Sequence, residues 1–96
     1  MNSPWVQYIK KMIKMAEELI NKAEDLFESG KFEEAIMVYT EVINQRKYLS
    51  LARLTYVFYM RGRAYKATGD LDKARQDWRT TQQLKDEGGN PWPLAS

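Results

Sequence analysis

Acidic side chains are the groups in this chain whose type and spacing could supply acid–base or metal chemistry. They occur as neighbouring pairs at Glu17-Glu18 and Glu24-Asp25. The chain has no Cys and no His, so it lacks thiol nucleophiles, disulfides, the usual zinc ligands and the usual general base. The paired carboxylates therefore have no partner base and no mixed ligand set. We expect no catalytic, cofactor or metal site, and hence no enzyme.

Length and charge predict one small domain of 96 residues that can leave little apolar surface uncovered. The net charge of +2 is modest, but acids dominate residues 17–41 and bases dominate residues 46–85. The sequence contains neither an apolar run long enough to span a membrane nor a secretory signal pattern. These features predict a cytoplasmic protein with no membrane partner.

Apolar residues recur at three- and four-residue steps along most of the chain, which predicts helices. Ser3-Pro4 forms a typical helix start, and no breaker follows before Gly30. The first helix would be roughly 39 Å long at the standard rise per residue. Later helices are expected from Phe32 to about Lys47, from Ser50 to Thr68 and from Leu71 to about Lys85. The residues between the second and third helices are expected to lengthen both.

One pattern of residues occurs twice. In each copy a small residue is followed three positions later by a large one, then by a Gly, and then by a small residue and an aromatic four positions apart. This spacing predicts two helices that pack closely at their small residues. The first copy is Ala23, Leu26, Gly30, Phe32, Ala35 and Tyr39, and the second is Gly62, Tyr65, Gly69, Leu71, Ala74 and Trp78.

This pattern resembles the tetratricopeptide repeat. Arg61 and Lys22 stand where the family has Leu, and Gly30 and Gly69 are farther apart than the family repeat of about 34 residues. The resemblance implies an all-α fold of two helix hairpins. We place the repeat domain at residues 1–87, with repeats at about 16–49 and 50–87, and a tail containing Pro and Trp at 88–96.

The resemblance also implies a function as a scaffold or adaptor that binds a protein or peptide in a concave groove. Aligned on the turn glycines, the first helix of each repeat would present Ile20, Glu24, Phe27, Tyr56, Tyr59, Arg63 and Lys66. The carboxylate clamp for chaperone C-termini is absent, because Ile20, Glu24 and Met60 occupy its positions. An alternative is that Tyr56 and Tyr59 pack within the chain or against a second copy.

The N-terminal half of the first helix carries an apolar stripe of Trp5, Ile9, Met12 and Ile13. Such a stripe would extend past the repeat and expose more apolar surface than a small monomer usually leaves open. Either the third helix covers it or another chain does. We expect a second copy, which makes the protein a homodimer or larger homo-oligomer.

A nucleic-acid-binding module is the alternative function. A basic surface would form on the second hairpin from Arg53, Arg61, Arg63, Lys66, Arg75 and Arg79, with Tyr56 and Tyr59 available for base stacking. The modest net charge and the acidic first hairpin argue against this function. The tail, Pro91-Trp92-Pro93-Leu94, either folds back over the last hairpin, enters a neighbour's groove or stays disordered.

Overall fold

The computed structural model describes residues 3–91, which form four helices arranged as two consecutive hairpins. The all-α fold is confirmed. Each helix packs against the next along the chain, so α2 lies against both α1 and α3. Within residues 3–91 no helix is long and apolar enough to cross a membrane. The helices are α1 (Pro4–Glu28), α2 (Phe32–Asn44), α3 (Leu51–Ala67) and α4 (Leu71–Asp86).

The second helix ends earlier than predicted, at Asn44, and a short 3₁₀ turn follows at Arg46–Tyr48. Leu49 and Ser50 then have extended backbones, and the Ser50 hydroxyl caps α3 by accepting a hydrogen bond from the Arg53 amide at 3.1 Å. This cap confirms the predicted start of the third helix. The extra residues between the hairpins therefore form a turn, and they do not lengthen α2.

The first helix of each hairpin ends in the same way. Gly30 and Gly69 have positive φ angles of 78° and 86°, which cost glycine little. The amide of the following residue donates back to a carbonyl of the last helical turn, Lys31 to Leu26 and Asp70 to Tyr65, both at 2.9 Å. This bond pattern is the Schellman motif, and it reverses the chain equivalently in both hairpins.

Small residues lie where the helices cross. Ala16, Ala23, Ala35, Ala64 and Ala74 have no solvent exposure, so the helix backbones can approach closely there. At Gly62 the approach is closer still, because a Cβ atom would lie 2.5 Å from Nε1 of Trp78. The indole of Trp78 on α4 thus packs directly onto the α3 backbone.

Arg61 has a role that the sequence pattern did not indicate. Its guanidinium donates two hydrogen bonds to Asp77 on α4, at 2.8 and 2.7 Å, and a third to the Thr40 hydroxyl on α2 at 3.1 Å. The side chains of this ion pair are only 17% and 5% exposed. The hydrogen bonds to Asp77 hold the pKa of Arg61 above its usual value. One side chain therefore links three helices.

Breaking this pair on one side should destabilise the fold strongly. Asp77→Leu leaves the Arg61 charge buried without its partner and should lower the free energy of unfolding by about 3–5 kcal/mol. The double variant Arg61→Leu/Asp77→Leu should recover most of that loss, because no buried charge remains. Urea denaturation of the three proteins measures both effects, and equal stability of the Asp77→Leu and unaltered proteins would contradict the prediction.

Candidate functional site

The helices α1 and α3 face each other across a cleft, with α2 packed against both. Three pairs of side chains link the two walls. Glu17 and Arg53 approach to 4.0 Å at the surface, and the guanidinium of Arg63 lies 4.9 Å from the ring centroid of Phe27. Between them lies Tyr56, whose pKa is raised by burial and by the nearby carboxylate of Glu24. The first helices of the two hairpins thus build one continuous surface.

We call this cleft the groove. Its volume is about 450 Å³, which suits one or two side chains of a ligand. Its α1 wall is acidic through Glu24 and Glu28, and its α3 wall carries the basic Arg63. Between these charges lie half-buried aromatic rings. The residues of the groove are Glu24, Phe27, Glu28, Tyr56, Tyr59, Met60 and Arg63.

A second depression adjoins the groove where the two hairpins meet, and it shares Phe27, Glu28, Tyr59 and Arg63 with it. The rings of Phe27 and Phe32 meet edge to face with centroids 5.1 Å apart and form one side of this depression. Trp78, which the repeat pattern assigns to the core, also lines it. The depression extends the groove towards Lys66, so that an occupant would meet a second basic side chain.

The structure brings most of the predicted groove residues together. Glu24, Phe27, Tyr56 and Tyr59 are half-buried and Arg63 is exposed along the groove, while the exposed Lys66 lines the adjoining depression. Ile20 is an exception, because it has no solvent exposure and lies in the core beside Ala23. Its predicted role in binding is therefore wrong, since the packing of α2 covers this face of α1.

Tyr39 of α2 lies behind the groove. Its side chain is fully buried, and its hydroxyl has no hydrogen-bond partner among the described residues. Burial raises the pKa of Tyr39 well above its usual value, with smaller contributions from Tyr56 and Glu24. Burial likewise raises the pKa of Tyr56. Tyr39 and Tyr56 therefore stay neutral at physiological pH.

The apolar stripe on the N-terminal half of α1 is exposed, with Trp5 at 73%, Ile9 at 41% and Ile13 at 40%. Met12 is half-buried. The 3₁₀ turn covers one side of this region, since Tyr48 meets Tyr8 edge to face with ring centroids 6.4 Å apart. Helix α3 does not cover the stripe, although the sequence left that arrangement open.

The basic surface expected for nucleic-acid binding is interrupted. Arg61 is buried in its pair with Asp77 and cannot contact a phosphate backbone. Arg53 and Arg75 each lie within 4.0 Å of a carboxylate, those of Glu17 and Asp72. These acids reduce the positive potential that counterion release requires.

The second hairpin matches the model of a known protein family. The family model described as tetratricopeptide repeat matches residues 55–79, a segment that runs from α3 through the Gly69 turn into α4. The second hairpin is therefore similar to a tetratricopeptide repeat over these residues. No curated protein and no solved structure matches the chain significantly.

Repeats of this family are generally protein-interaction modules and non-catalytic scaffolds. Within the matched segment, Trp78 of α4 packs onto the α3 backbone at Gly62. The predicted tail begins at Gly88, and its residues 92–96 lie outside the described residues. Pro91 lines a small cleft with Glu24, Arg53 and Tyr56, a placement that no local sequence signal indicated.

Replacing Tyr39 by Phe should reduce the loss in the free energy of unfolding at alkaline pH. In the unfolded chain a tyrosine ionises near pH 10, but Tyr39 in the folded protein keeps its proton above that pH. The folded state then binds more protons, so the free energy of unfolding falls as pH rises above about 10. Urea denaturation at neutral pH and at pH 10–12 tests this expectation.

Tyr39→Phe should be at least as stable as the unaltered protein at neutral pH, because it removes a buried hydroxyl without a protein partner. It should also lose less stability between pH 10 and 12. An identical alkaline decline in both proteins would show that Tyr39 titrates like an exposed tyrosine.

Proposed function

We propose that the groove between α1 and α3 binds an extended or helical peptide of a partner protein, so that the chain acts as an interaction adaptor. The observation that carries this proposal is the convergence of Phe27, Tyr56 and Tyr59, all half-buried, on one cleft with charged rims. Aromatic side chains supply large contact areas and are enriched among residues that dominate binding energy.

The charges on the two walls of the groove favour one orientation of a bound peptide. Glu24 and Glu28 lie on one wall and Arg63 on the other, with Lys66 farther along α3. A ligand with apolar anchors and charges of opposite sign at its two edges would match both walls. Such complementarity favours one direction of binding over the reverse. The ligand class is therefore an amphipathic peptide with apolar anchors, and it differs from the carboxylate-terminated chaperone peptides.

The first hairpin is proposed to be a second repeat. This proposal is supported by the equivalent helix ends at Gly30 and Gly69 and by the small residues buried at equivalent positions, Ala23 with Gly62 and Ala35 with Ala74. Tyr39 and Trp78 likewise occupy equivalent places. Two repeats side by side would explain why the groove is shared between α1 and α3.

Peptide binding is tested by selecting ligands for the purified chain from a random peptide library. Tyr59→Ala should weaken the binding of a selected peptide by about 1 kcal/mol, roughly fivefold or more. Tyr8→Ala is the control, because Tyr8 is likewise a helical tyrosine, 51% exposed, but lies outside the groove. Circular dichroism should show unchanged helicity for both variants.

Retained affinity in Tyr59→Ala would move the binding surface elsewhere. Equal losses in Tyr59→Ala and Tyr8→Ala would indicate a general effect of the substitution on the fold. Arg63→Glu is a further test. Reversing the charge on the α3 wall should weaken the binding of peptides whose acidic edge faces that wall.

We also propose that the chain self-associates through the stripe of Trp5, Ile9, Met12 and Ile13. The exposure of three of these side chains supports it, because burying apolar surface is favourable at about 25 cal/mol per Å². The acidic first hairpin and basic second hairpin would favour an arrangement in which opposite charges meet.

Self-association is tested by sedimentation equilibrium. The double variant Ile9→Asp/Ile13→Asp should sediment as a folded monomer, because both side chains are already exposed in the single chain and their replacement costs the fold little. Lys10→Asp/Lys14→Asp is the control that alters charge on the same helix and spares the stripe. A stable monomer for the unaltered chain at about 50 µM would contradict the proposal.

A further inference from the structure

The N-terminal half of α1 is a helix that lies outside the packed core of its own chain. Ala16 is the first buried residue of α1, and among the described residues before it only Met12 is half-buried. The helix is nevertheless continuous from Pro4 to Glu28. Because the core holds its C-terminal half, residues 4–15 are fixed as a helix whose apolar stripe is open to a partner. We call this segment the overhang.

The overhang has the chemistry of an amphipathic binding helix. Its residues Trp5, Ile9 and Ile13 recur every four positions and are all exposed. Residues 4–15 also include three lysines and no acidic residue. Amphipathic helices dock into grooves through apolar anchors at such spacings. Since the overhang is already helical in the free chain, it loses little conformational entropy when it docks.

The groove carries the complementary charge. Glu24 and Glu28 lie on its α1 wall, and neither forms an ion pair with a basic side chain among residues 3–91. Arg63, the basic residue of the groove, lies over the ring of Phe27. A helix with an apolar stripe and a basic polar face would therefore match both the aromatic rings and the acidic wall.

The groove and the depression beside it offer adjoining places for two apolar anchors. Their volumes are about 450 and 750 Å³, and both are lined by Phe27 and Tyr59. Side chains four residues apart on a helix have Cβ atoms about 5–6 Å apart. Trp5 and Ile9 can therefore occupy the two places at once.

Charge also argues against a contact between two stripes. Such a two-fold contact would bring the lysines of both overhangs together, and residues 4–15 contain no carboxylate to offset them. Like charges placed together in an interface oppose association. Docking in the groove instead places the same lysines near Glu24 and Glu28 of the other copy.

We propose that the overhang of one copy docks in the groove of a second copy, with Trp5 and Ile9 seated among its aromatic rings. The inference rests on the proposed functions of the groove and of the stripe, and it deepens both. It names a second copy of this chain as a partner of the groove, and it names the surface that the stripe meets. Because the contact joins two different surfaces, copies add until a ring closes, and the smallest ring has two reciprocal contacts.

Two complementary variants test this pairing. The stripe variant, Ile9→Asp/Ile13→Asp, keeps an intact groove, and the groove variant, Glu28→Lys/Tyr59→Ala, keeps an intact overhang. Each variant alone should sediment as a monomer at about 50 µM, where the unaltered chain associates. An equimolar mixture should contain a complex of twice the mass, because one functional groove and one functional overhang remain.

A contact between two stripes predicts a different result. The groove variant would then associate like the unaltered chain, and the mixture would contain no complex of the two variants. Either observation would overturn the inference. Circular dichroism checks that both variants keep their helicity. Glu28→Lys alone changes an exposed residue, retains the Tyr59 ring and should weaken association roughly threefold at low salt.

Salt dependence tests the charge pairing. Lys10→Asp/Lys14→Asp keeps the apolar stripe, so it should associate like the unaltered chain at about 1 M salt, where the Debye length is about 3 Å. At low ionic strength it should associate more weakly, because its overhang has lost positive charge that would meet Glu24 and Glu28. Equal association of the two proteins at low ionic strength would contradict the placement beside these carboxylates.

The peptides selected from the random library separate failure of this inference from failure of the groove. A selected peptide that depends on Tyr59 should dissociate the complex in the mixture. If such peptides bind the unaltered chain but leave its self-association intact, the groove functions and the inference is wrong. If no library peptide depends on Tyr59 and the mixture forms no complex, the groove proposal fails together with the inference.

Discussion

Small residues at the helix crossings are the constraint on which the rest of this structure depends. Ala23 and Ala35 in the first hairpin, and Ala64 and Ala74 in the second, have no exposed surface, and Gly62 leaves room for an indole against the helix backbone. Protein interiors are close-packed, so one added methyl group at such a crossing separates the helices. The spacing of α1 and α3 through α2, and with it the width of the groove, follows from these crossings.

The ion pair of Arg61 and Asp77 restricts the relative orientation of the helices, which apolar packing alone does not. Apolar contacts tolerate sliding, whereas a guanidinium that donates to Asp77 on one helix and to Thr40 on another accepts few arrangements. The guanidinium also lies 5.5 Å from the ring centroids of both Phe58 and Tyr65. The pair holds α4 in register with α2 and α3, and it withdraws one cation from the surface.

The same architecture decides how charge and apolar surface are arranged in the groove. Its charged groups line the rims of the groove, and its neutral aromatic groups lie between them. An interface of this kind gains affinity from apolar anchors and gains orientation from charge. At the other end of the domain Gly89 lies against Thr55 and Leu51, so the segment after α4 packs on the first turns of α3.

By itself the sequence indicated the four helices, most of their ends and the repeated pattern, because each of these depends on residue types within one or two helical turns. Ser50 and Gly69 are such local signals. Only the tertiary structure decided which side chains of a helix face a neighbour: Ile20 is buried although Glu24, one turn away, reaches the groove. Packing between distant segments likewise placed Arg61 against Asp77 and brought Pro91 beside Tyr56. Burial depends on the elements that surround a residue, and no local pattern records their positions.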